Sequence, residues 1–284
     1  MIELRAGRLR CELSPELGGA IAGLWLDDLP VLRSTPAAAL ASARQAGCIP
    51  LVPFSNRVGH ASVQWEGTVL PLIRHPGDAP HTILGVGAHR PWEVLDNDET
   101  TAMLACEHRR DAAWPFAFDC SHTLRLRADA LELTLALTNQ SGQVAPASLG
   151  WRPALARRPG ARVSFQAAGL WQPGPDHLPL FRAASQGLAA DAGTLAAEAC
   201  YDGWDGPAEL ADARVRVRIR SDLKRLLVLA DPVQDAIVLA PVSHAPNAVH
   251  LHAAGSPAGD LGLALLQPGE SVLAQMTIEV EGQP

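Results

Sequence analysis

Arginine is the side chain whose abundance suggests specific chemistry in this sequence of 284 residues. Of the 23 basic residues, only Lys224 is a lysine, and all the others are arginines. A guanidinium is planar and permanently charged, and its fork of N–H donors matches a carboxylate or a phosphate. Two interpretations stay open at this point. One is a GC-rich coding sequence, in keeping with the many alanine, glycine and proline residues; the other is that particular arginines bind a planar or anionic ligand.

The common catalytic and nucleotide-binding motifs are missing. The sequence has no GxSxG, HExxH or GxxxxGK[ST] motif, and the GxG at residues 85–87 lacks the third glycine and the following helix of a dinucleotide-binding loop. His250 and His252 would share one face of a strand, where two imidazoles could bind a metal ion. No carboxylate or thiol lies nearby in the sequence to complete the ligands, so we predict no metal site.

Composition indicates a folded protein that does not bind nucleic acid. Hydrophobic residues make up 48% of the chain, charged residues make up 19%, and the net charge at pH 7 is −7. That apolar content is too high for a disordered chain, and a nucleic-acid-binding domain usually carries a basic surface. The length fits one large all-β domain.

The expected compartment is the cytoplasm. The five cysteines include no CxxC pair, which is typical of reduced, structural thiols. The first residues lack the basic and apolar regions of a signal peptide. No stretch approaches the ~18 apolar residues of a membrane helix, so we expect no membrane partner.

Alternation of apolar and polar residues predicts strands over most of the chain. The clearest segments are residues 130–138, 214–220 and 272–280, together with a hairpin over 63–70. Only residues 36–44 have a helical composition, and the Gly- and Pro-rich residues 171–176 predict a loop. We therefore predict an all-β protein, a single large antiparallel β-sandwich in which residues 1–284 form one domain.

The strand at residues 214–220 carries four arginines at alternate positions, so they share one face. Such a face could bind an acidic partner. A solvated outer face fits better, because basic side chains on an exposed sheet discourage pairing between sheet edges.

Six segments resemble the aldose 1-epimerase family, in the family's order and over nearly the whole chain. They are residues 53–59 (PFSNRVG), 84–94 (LGVGAHRPWEV), 149–153 (LGWRP), 201–206 (YDGWDG), 241–244 (PVSH) and 266–271 (LQPGES). The resemblance implies the galactose mutarotase-like supersandwich with a sugar cleft on its concave face. It also implies a family activity that interconverts the α and β anomers of aldoses without a cofactor.

The family's reaction uses an acid and a base that this sequence replaces. In the family, a carboxylate takes the proton from the anomeric hydroxyl while a histidine protonates the ring oxygen. The resemblance places Leu84 and Arg152 at the two histidine positions and Ala240 at the carboxylate position. Leucine and alanine have no proton to transfer, and an arginine pKa above about 12 keeps its proton at neutral pH. We expect the usual catalysis to be absent or nearly so.

No nearby histidine replaces the missing groups in a simple way. His81 and His244 lie three and four residues from Leu84 and Ala240, which is roughly 10 and 13 Å along a strand. Proton transfer needs contact at about 3 Å, directly or through one water.

The sugar-binding positions are better retained. Asn56 and Arg57 stand as the family has them, and Glu198 stands where the family has an aspartate. Trp151 and Trp204 are candidates for stacking on a sugar, with burial in the core as the alternative. His244 is a candidate binding residue, with a structural hydrogen bond beside a turn as the alternative.

The sequence leaves three functions open. The first is a carbohydrate-binding protein for an acidic sugar, a sugar phosphate or another small anion. It is suggested by the expected position of Arg57 and Arg152 in one cleft, where Ala240 replaces a carboxylate. In that case Glu198 could still cancel one arginine by pairing with it. The second is an active aldose 1-epimerase that uses other residues. The third is an interaction protein whose cleft has collapsed. The oligomeric state is not predicted.

Overall fold

Antiparallel strand pairing builds most of the molecule, since apolar side chains recur at every second residue. The computed structural model of the chain describes residues 1–75 and 77–283. The strands within these residues are β1 (Ile2–Ala6), β2 (Leu9–Ser14), β3 (Ala20–Leu26), β4 (Leu29–Pro30), β5 (Pro50–Leu51), β6 (Ser62–Trp65), β7 (Thr68–Pro71), β8 (Glu93–Asn97), β9 (Thr101–His108), β10 (Phe118–Leu126), β11 (Ala130–Asn139), β12 (Ala145–Ala147), β13 (Gly150–Trp151), β14 (Ala154–Ala156), β15 (Arg162–Pro173), β16 (Pro179–Ala184), β17 (Leu188–Asp191), β18 (Ala197–Ala211), β19 (Val215–Ser221), β20 (Arg225–Ala230), β21 (Ala236–Val242), β22 (Ala264–Leu266) and β23 (Ser271–Gly282).

Helical structure is limited to short segments. The helices are α1 (Ala248–Ala253) and α2 (Ala258–Leu261), with 3-10 turns at Ala37–Ala39, Ala43–Gln45, Gly59–Ala61 and Gly87–His89. Among the described residues, no helix has the length and apolar content that a membrane crossing requires.

One large sheet dominates the architecture. It contains 15 strands, and its main path runs β5-β13-β21-β20-β18-β19-β23-β11-β10-β9-β8. Strand β14 pairs with β21, while β15 pairs with β18 and also with β16 and β17. A second sheet has the order β1-β2-β3-β4, and two small pairs, β6-β7 and β12-β22, complete the set.

The main hydrophobic core joins the large sheet to the four-stranded sheet. Along β11, Leu131, Leu133, Leu135 and Leu137 are buried, and they belong to the same core cluster as Leu4 of β1. The residues between these leucines are less buried, as expected for a sheet with one face on the core. Each such leucine stabilises the fold by roughly 1.5–3 kcal/mol through burial.

The predicted all-β antiparallel fold is confirmed. The predicted strands at 130–138, 214–220 and 272–280 correspond to β11, β19 and β23, and the predicted hairpin over 63–70 is β6-β7.

Three local predictions are wrong in whole or in part. Residues 36–44 form no α-helix but fall in two 3-10 turns joined by an extended link at Leu40, because so short a segment cannot offset the cost of helix nucleation. Of the predicted loop at 171–176, residues 171–173 continue β15 and pair with β16, whereas residues 174–176 lie in the turn between these strands.

The third concerns His250 and His252, which lie on helix α1 instead of a strand. Positions two apart do not share a helix face. His250 Nε2 lies 2.7 Å from the Ser62 carbonyl oxygen, and His252 Nδ1 lies 3.0 Å from the Ser256 carbonyl oxygen. In the part of the chain that the structure describes, no group of three or more His, Cys, Asp or Glu side chains is placed to hold a metal ion.

Candidate functional site

A cavity of about 260 Å³ lies at the β5 end of the large sheet. Strands β5, β13, β21, β20 and β18 are consecutive there, so side chains from distant parts of the sequence converge. In register, Ala240 of β21 is opposite Leu227 of β20, and Leu229 of β20 is opposite Glu198 of β18. The lining residues are Arg44, Leu51, Ser55, Asn56, Arg57, Ile83, Leu84, Arg152, Glu198, Leu227, Leu229 and Ala240.

The structure brings together six positions that the sequence singled out. Asn56, Arg57, Arg152 and Glu198 line this cavity, as do the replaced positions Leu84 and Ala240. Leu84 and Ala240 are both buried. The wall that they form with the neighbouring leucines is apolar and offers no group for proton transfer.

Glu198 neutralises one of the cavity arginines. One carboxylate oxygen pairs with Arg57 Nη2. The charge of Glu198 therefore neutralises that of Arg57, which is one of the alternatives that the sequence leaves open. The other oxygen, Oε2, lies 3.2 Å from Nδ1 of His177, which is exposed on the turn between β15 and β16. Glu198 therefore links a cavity guanidinium to an imidazole outside the cavity lining.

Arg44 is a second cavity arginine that already has a partner. Its Nη2 pairs with Oδ1 of Asp78, a carboxylate whose side chain is fully buried. Sequence reasoning missed Arg44 because the surrounding alanines suggested a helix.

Arg152 differs from both, because its guanidinium has no ion-pair or hydrogen-bond partner among the described residues. Its backbone N–H donates to the Ile49 carbonyl at 2.9 Å, which fixes the residue just after β13. Burial lowers the pKa of Arg152 to about 10, and the positive charges of Arg33 and Arg44 add to the effect. This corrects the expectation of an unperturbed arginine pKa, but the side chain still keeps its proton at neutral pH.

Trp151, Trp204 and His244 do not line the cavity. All three are fully buried, and Trp151 Nε1 donates to Nε2 of His122 at 3.1 Å. His244 Nε2 accepts the Ser55 N–H at 3.1 Å, and Nδ1 lies 2.6 Å from the Ala245 carbonyl oxygen. These positions agree with the core and structural alternatives for these residues.

His81 holds the turn that carries His177. Its Nδ1 accepts the His60 N–H at 3.1 Å, and its Nε2 lies 2.7 Å from the Asp176 carbonyl oxygen. Both ring nitrogens are thus engaged by backbone groups. His177 is another residue that sequence reasoning missed, and no motif marks it, because its contact with Glu198 arises from the fold.

The arrangement can bind a polar ligand, with few groups for chemistry on it. One side of the cavity is apolar, and the other carries three guanidinium groups, of which Arg152 alone lacks a carboxylate partner among the residues described. The groups suited to proton transfer are Glu198 and its neighbour His177 at 3.2 Å.

Comparison with known proteins places this cavity in a family context. The family model described as aldose 1-epimerase matches residues 1–228. The uncharacterized protein YphB of Escherichia coli K12 is 28% identical over 295 residues, which covers 98% of this chain and 98% of that protein.

Two crystal structures are similar over the whole chain. A proposed aldose 1-epimerase from Escherichia coli K12 has a TM-score of 0.87 and 28% identity, with 99% of this chain and 98% of that chain covered. A galactose mutarotase-like protein from Clostridium acetobutylicum has a TM-score of 0.86 and 16% identity, with 99% and 95% covered. The predicted galactose mutarotase-like β-sandwich is confirmed.

Proposed function

The chain belongs to the aldose 1-epimerase family, and from that premise we propose that it binds an acidic or phosphorylated sugar in the 260 Å³ cavity. We further propose that the family's anomer interconversion is lost or chemically altered. Asn56, Arg57, Arg152 and Glu198 are the proposed binding residues.

The observation that carries the proposal is the contrast in pairing among the cavity arginines. Arg57 pairs with Glu198 and Arg44 pairs with Asp78, whereas Arg152 has no such partner among the described residues. A half-buried guanidinium without a counter-charge is unfavourable, and a carboxylate or phosphate of a ligand would supply that charge through paired N–H donors. A neutral aldose would leave Arg152 without a counter-ion.

The altered chemistry is inferred from the apolar wall. Leu84 and Ala240 occupy the positions at which the family resemblance expects a histidine and a carboxylate. General acid or base catalysis contributes about 10²–10⁴-fold for each group. Arg152 cannot replace them at neutral pH, because its pKa of about 10 keeps it protonated.

Calorimetric titration with galactose, glucuronate and a hexose 6-phosphate tests the ligand class. We expect at least one anionic sugar to bind ten or more times tighter than galactose, and Arg152→Gln to remove most of that difference. Arg220→Gln, a matched change far along β19, should leave the binding constants within twofold. Preference for galactose in the unmodified protein would contradict the proposal.

A second candidate function, an active aldose 1-epimerase, is favoured by the contact between Glu198 and His177. With Oε2 and Nδ1 3.2 Å apart, a carboxylate and an imidazole are close enough to share proton transfer to and from a bound sugar. Glu198, which lines the cavity, would take the proton of the anomeric hydroxyl and return it, and His177, on the outer side of Glu198, would exchange that proton with the carboxylate.

Polarimetry separates the two functions. Mutarotation of galactose and of a hexose 6-phosphate should run at the buffer rate if catalysis is lost. Acceleration that disappears in Glu198→Gln and in His177→Asn, and that persists in His252→Asn, would favour the epimerase.

A further inference from the structure

A second cavity adjoins the sugar-binding cavity. It has a volume of about 570 Å³, and it shares Arg152, Glu198 and Leu229 with the first. Arg152 therefore stands between the two spaces. The outer cavity, as we call this second space, contains one further guanidinium, that of Arg33.

Arg33 is held in place by backbone carbonyls. Its Nη2 donates to the Arg44 carbonyl oxygen at 2.8 Å, and the Ala46 carbonyl oxygen lies at 3.5 Å. Its Nε is buried and has no hydrogen-bond partner. The guanidinium is thus positioned by the 3-10 turn at Ala43–Gln45, and no carboxylate among the described residues pairs with it.

The carboxylates of the outer cavity do not neutralise these two arginines. Glu198 is engaged by Arg57 and His177. Asp231 is exposed, and its Oδ1 accepts the Val233 N–H at 3.0 Å within its own turn. The rest of the lining is mostly apolar, including Leu229, Ala236 and Val238.

We propose that the ligand spans both cavities, with its sugar ring in the inner one and a phosphate monoester in the outer cavity, held between Arg33 and Arg152. This inference rests on the proposed function and adds to it the position of the anionic group, a further binding residue and the choice of phosphate over carboxylate.

The wall shared by the two cavities places the phosphate beside Arg152. Arg152 lines both cavities, so a phosphate carried on the exocyclic C6 oxygen of a hexose in the inner cavity can extend past its guanidinium into the outer one. A carboxylate bonded directly to the ring would stay with the ring.

The charges favour a phosphate. A phosphate monoester carries about −1.5 to −2 charges at pH 7 and offers three acceptor oxygens, which matches two guanidinium forks. Burial is the main cause of the lowered pKa of Arg152, and repulsion by the nearby charge of Arg33 adds to it. A dianion between them would relieve that repulsion.

Calorimetry with galactose, a hexose 6-phosphate and inorganic phosphate tests the inference on the full chain. We expect Arg33→Gln to weaken hexose 6-phosphate binding by about 10–100-fold, the equivalent of one lost charge-assisted contact. It should leave galactose and glucuronate within twofold. Inorganic phosphate should bind more weakly than the sugar phosphate and lose affinity in the same variant, while Arg220→Gln should change none of these values.

The outcomes separate the inference from the proposed function. Tight binding of hexose 6-phosphate that Arg33→Gln leaves unchanged would overturn the inference, while the proposed function would stand. Glucuronate that binds as tightly as hexose 6-phosphate would also overturn it. No preference for either anion over galactose would overturn both. If Arg33→Gln fails to fold, Arg33→Lys is the second variant, because it keeps the positive charge and loses the paired N–H donors. If Arg33→Lys then binds hexose 6-phosphate within twofold of the unmodified protein, that result would count against the inference.

Discussion

Two regions of the molecule concentrate arginine, and they use it differently. On the outer face of β19, Arg218 and Arg220 lie within 2.9 and 2.8 Å of Glu209 and Glu279 on neighbouring strands. Arg216 of the same face lies 3.4 Å from Glu281. At the two adjoining cavities, Arg33 and Arg152 have no carboxylate partner among the described residues. Arginine content alone therefore does not distinguish the two regions; the proposed binding site rests on the arginines without a carboxylate partner among the described residues.

The register of the sheet explains the first region. Arg216 is directly opposite Glu281, and Arg218 is opposite both Glu279 and Glu209. Arg220 is opposite Thr277 and reaches Glu279 diagonally on the neighbouring strand. Such exposed pairs contribute roughly 0–1 kcal/mol each. The sequence predicted a solvated face with four arginines, and three of them lie on the strand, because Arg214 precedes its first residue.

Mild acid should destabilise the protein more through buried His244, whose Nε2 accepts the N–H of the cavity residue Ser55, than through the ion pairs of the outer face. Burial lowers the pKa of His244 to about 4, while the unfolded value is about 6.5. Below pH 6.5 the unfolded chain takes up a proton that the folded His244 excludes, so its contribution is complete above pH 6.5 and is lost as the pH falls toward 4. By pH 4, this residue alone should lower the free energy of unfolding by up to about 3 kcal/mol.

Urea denaturation at pH 7.5, 6.0 and 5.0 measures that effect. His244→Asn should reduce the loss of unfolding free energy between pH 7.5 and 5.0, while Arg218→Gln should keep the loss seen in the unmodified protein. An identical pH dependence for His244→Asn would contradict the assignment. His122, whose pKa burial lowers to about 3, adds a similar contribution in all three proteins.

Arg152, which has no carboxylate partner among the described residues, should destabilise the folded protein when no ligand is bound. Replacing Arg152 with Gln removes a half-buried charge that Arg33 and Arg44 repel, so the free energy of unfolding should rise by about 1 kcal/mol. Thermal denaturation in a phosphate-free buffer checks this. Added phosphate should raise the Tm of the unmodified protein and should have a smaller effect on Arg152→Gln. A variant clearly less stable than the unmodified protein without phosphate would show that Arg152 has an unrecognised partner.

The smallest effect is expected on the outer face. Arg218→Gln breaks contacts with Glu209 and Glu281, and the free energy of unfolding should fall by less than about 1 kcal/mol because exposed pairs contribute little. The difference in unfolding free energy between Arg218→Gln and the unmodified protein should be smaller still in high salt, because salt screens exposed charges. Loss of sugar binding in this variant would contradict the distinction between the two regions.

Much of the site could be predicted from residue types at motif positions. The segment containing Asn56 and Arg57 and the replacements at Leu84 and Ala240 all line the cavity, because the family's strand order brings these positions together. Trp151, Trp204 and His244 were weaker candidates, since an aromatic or imidazole side chain near a motif suits a core as well as a cleft.

Arg33, Arg44 and His177 could not be found in this way. They lie in turns whose sequence has no periodicity, and what they contact is far away along the chain. His177 touches Glu198, for example, only because the β15–β16 turn is held by His81.

The sequence by itself determined the all-β architecture and the family, and it is the basis of the proposal that the usual acid and base are replaced. These follow from side-chain alternation and from residue identity, which need no knowledge of contacts. Only the tertiary structure decided which arginines are neutralised, because pairing depends on distances of a few ångströms between strands remote in the chain. Among residues 1–75 and 77–283, those distances leave Arg152 and Arg33 without a carboxylate partner beside two adjoining cavities.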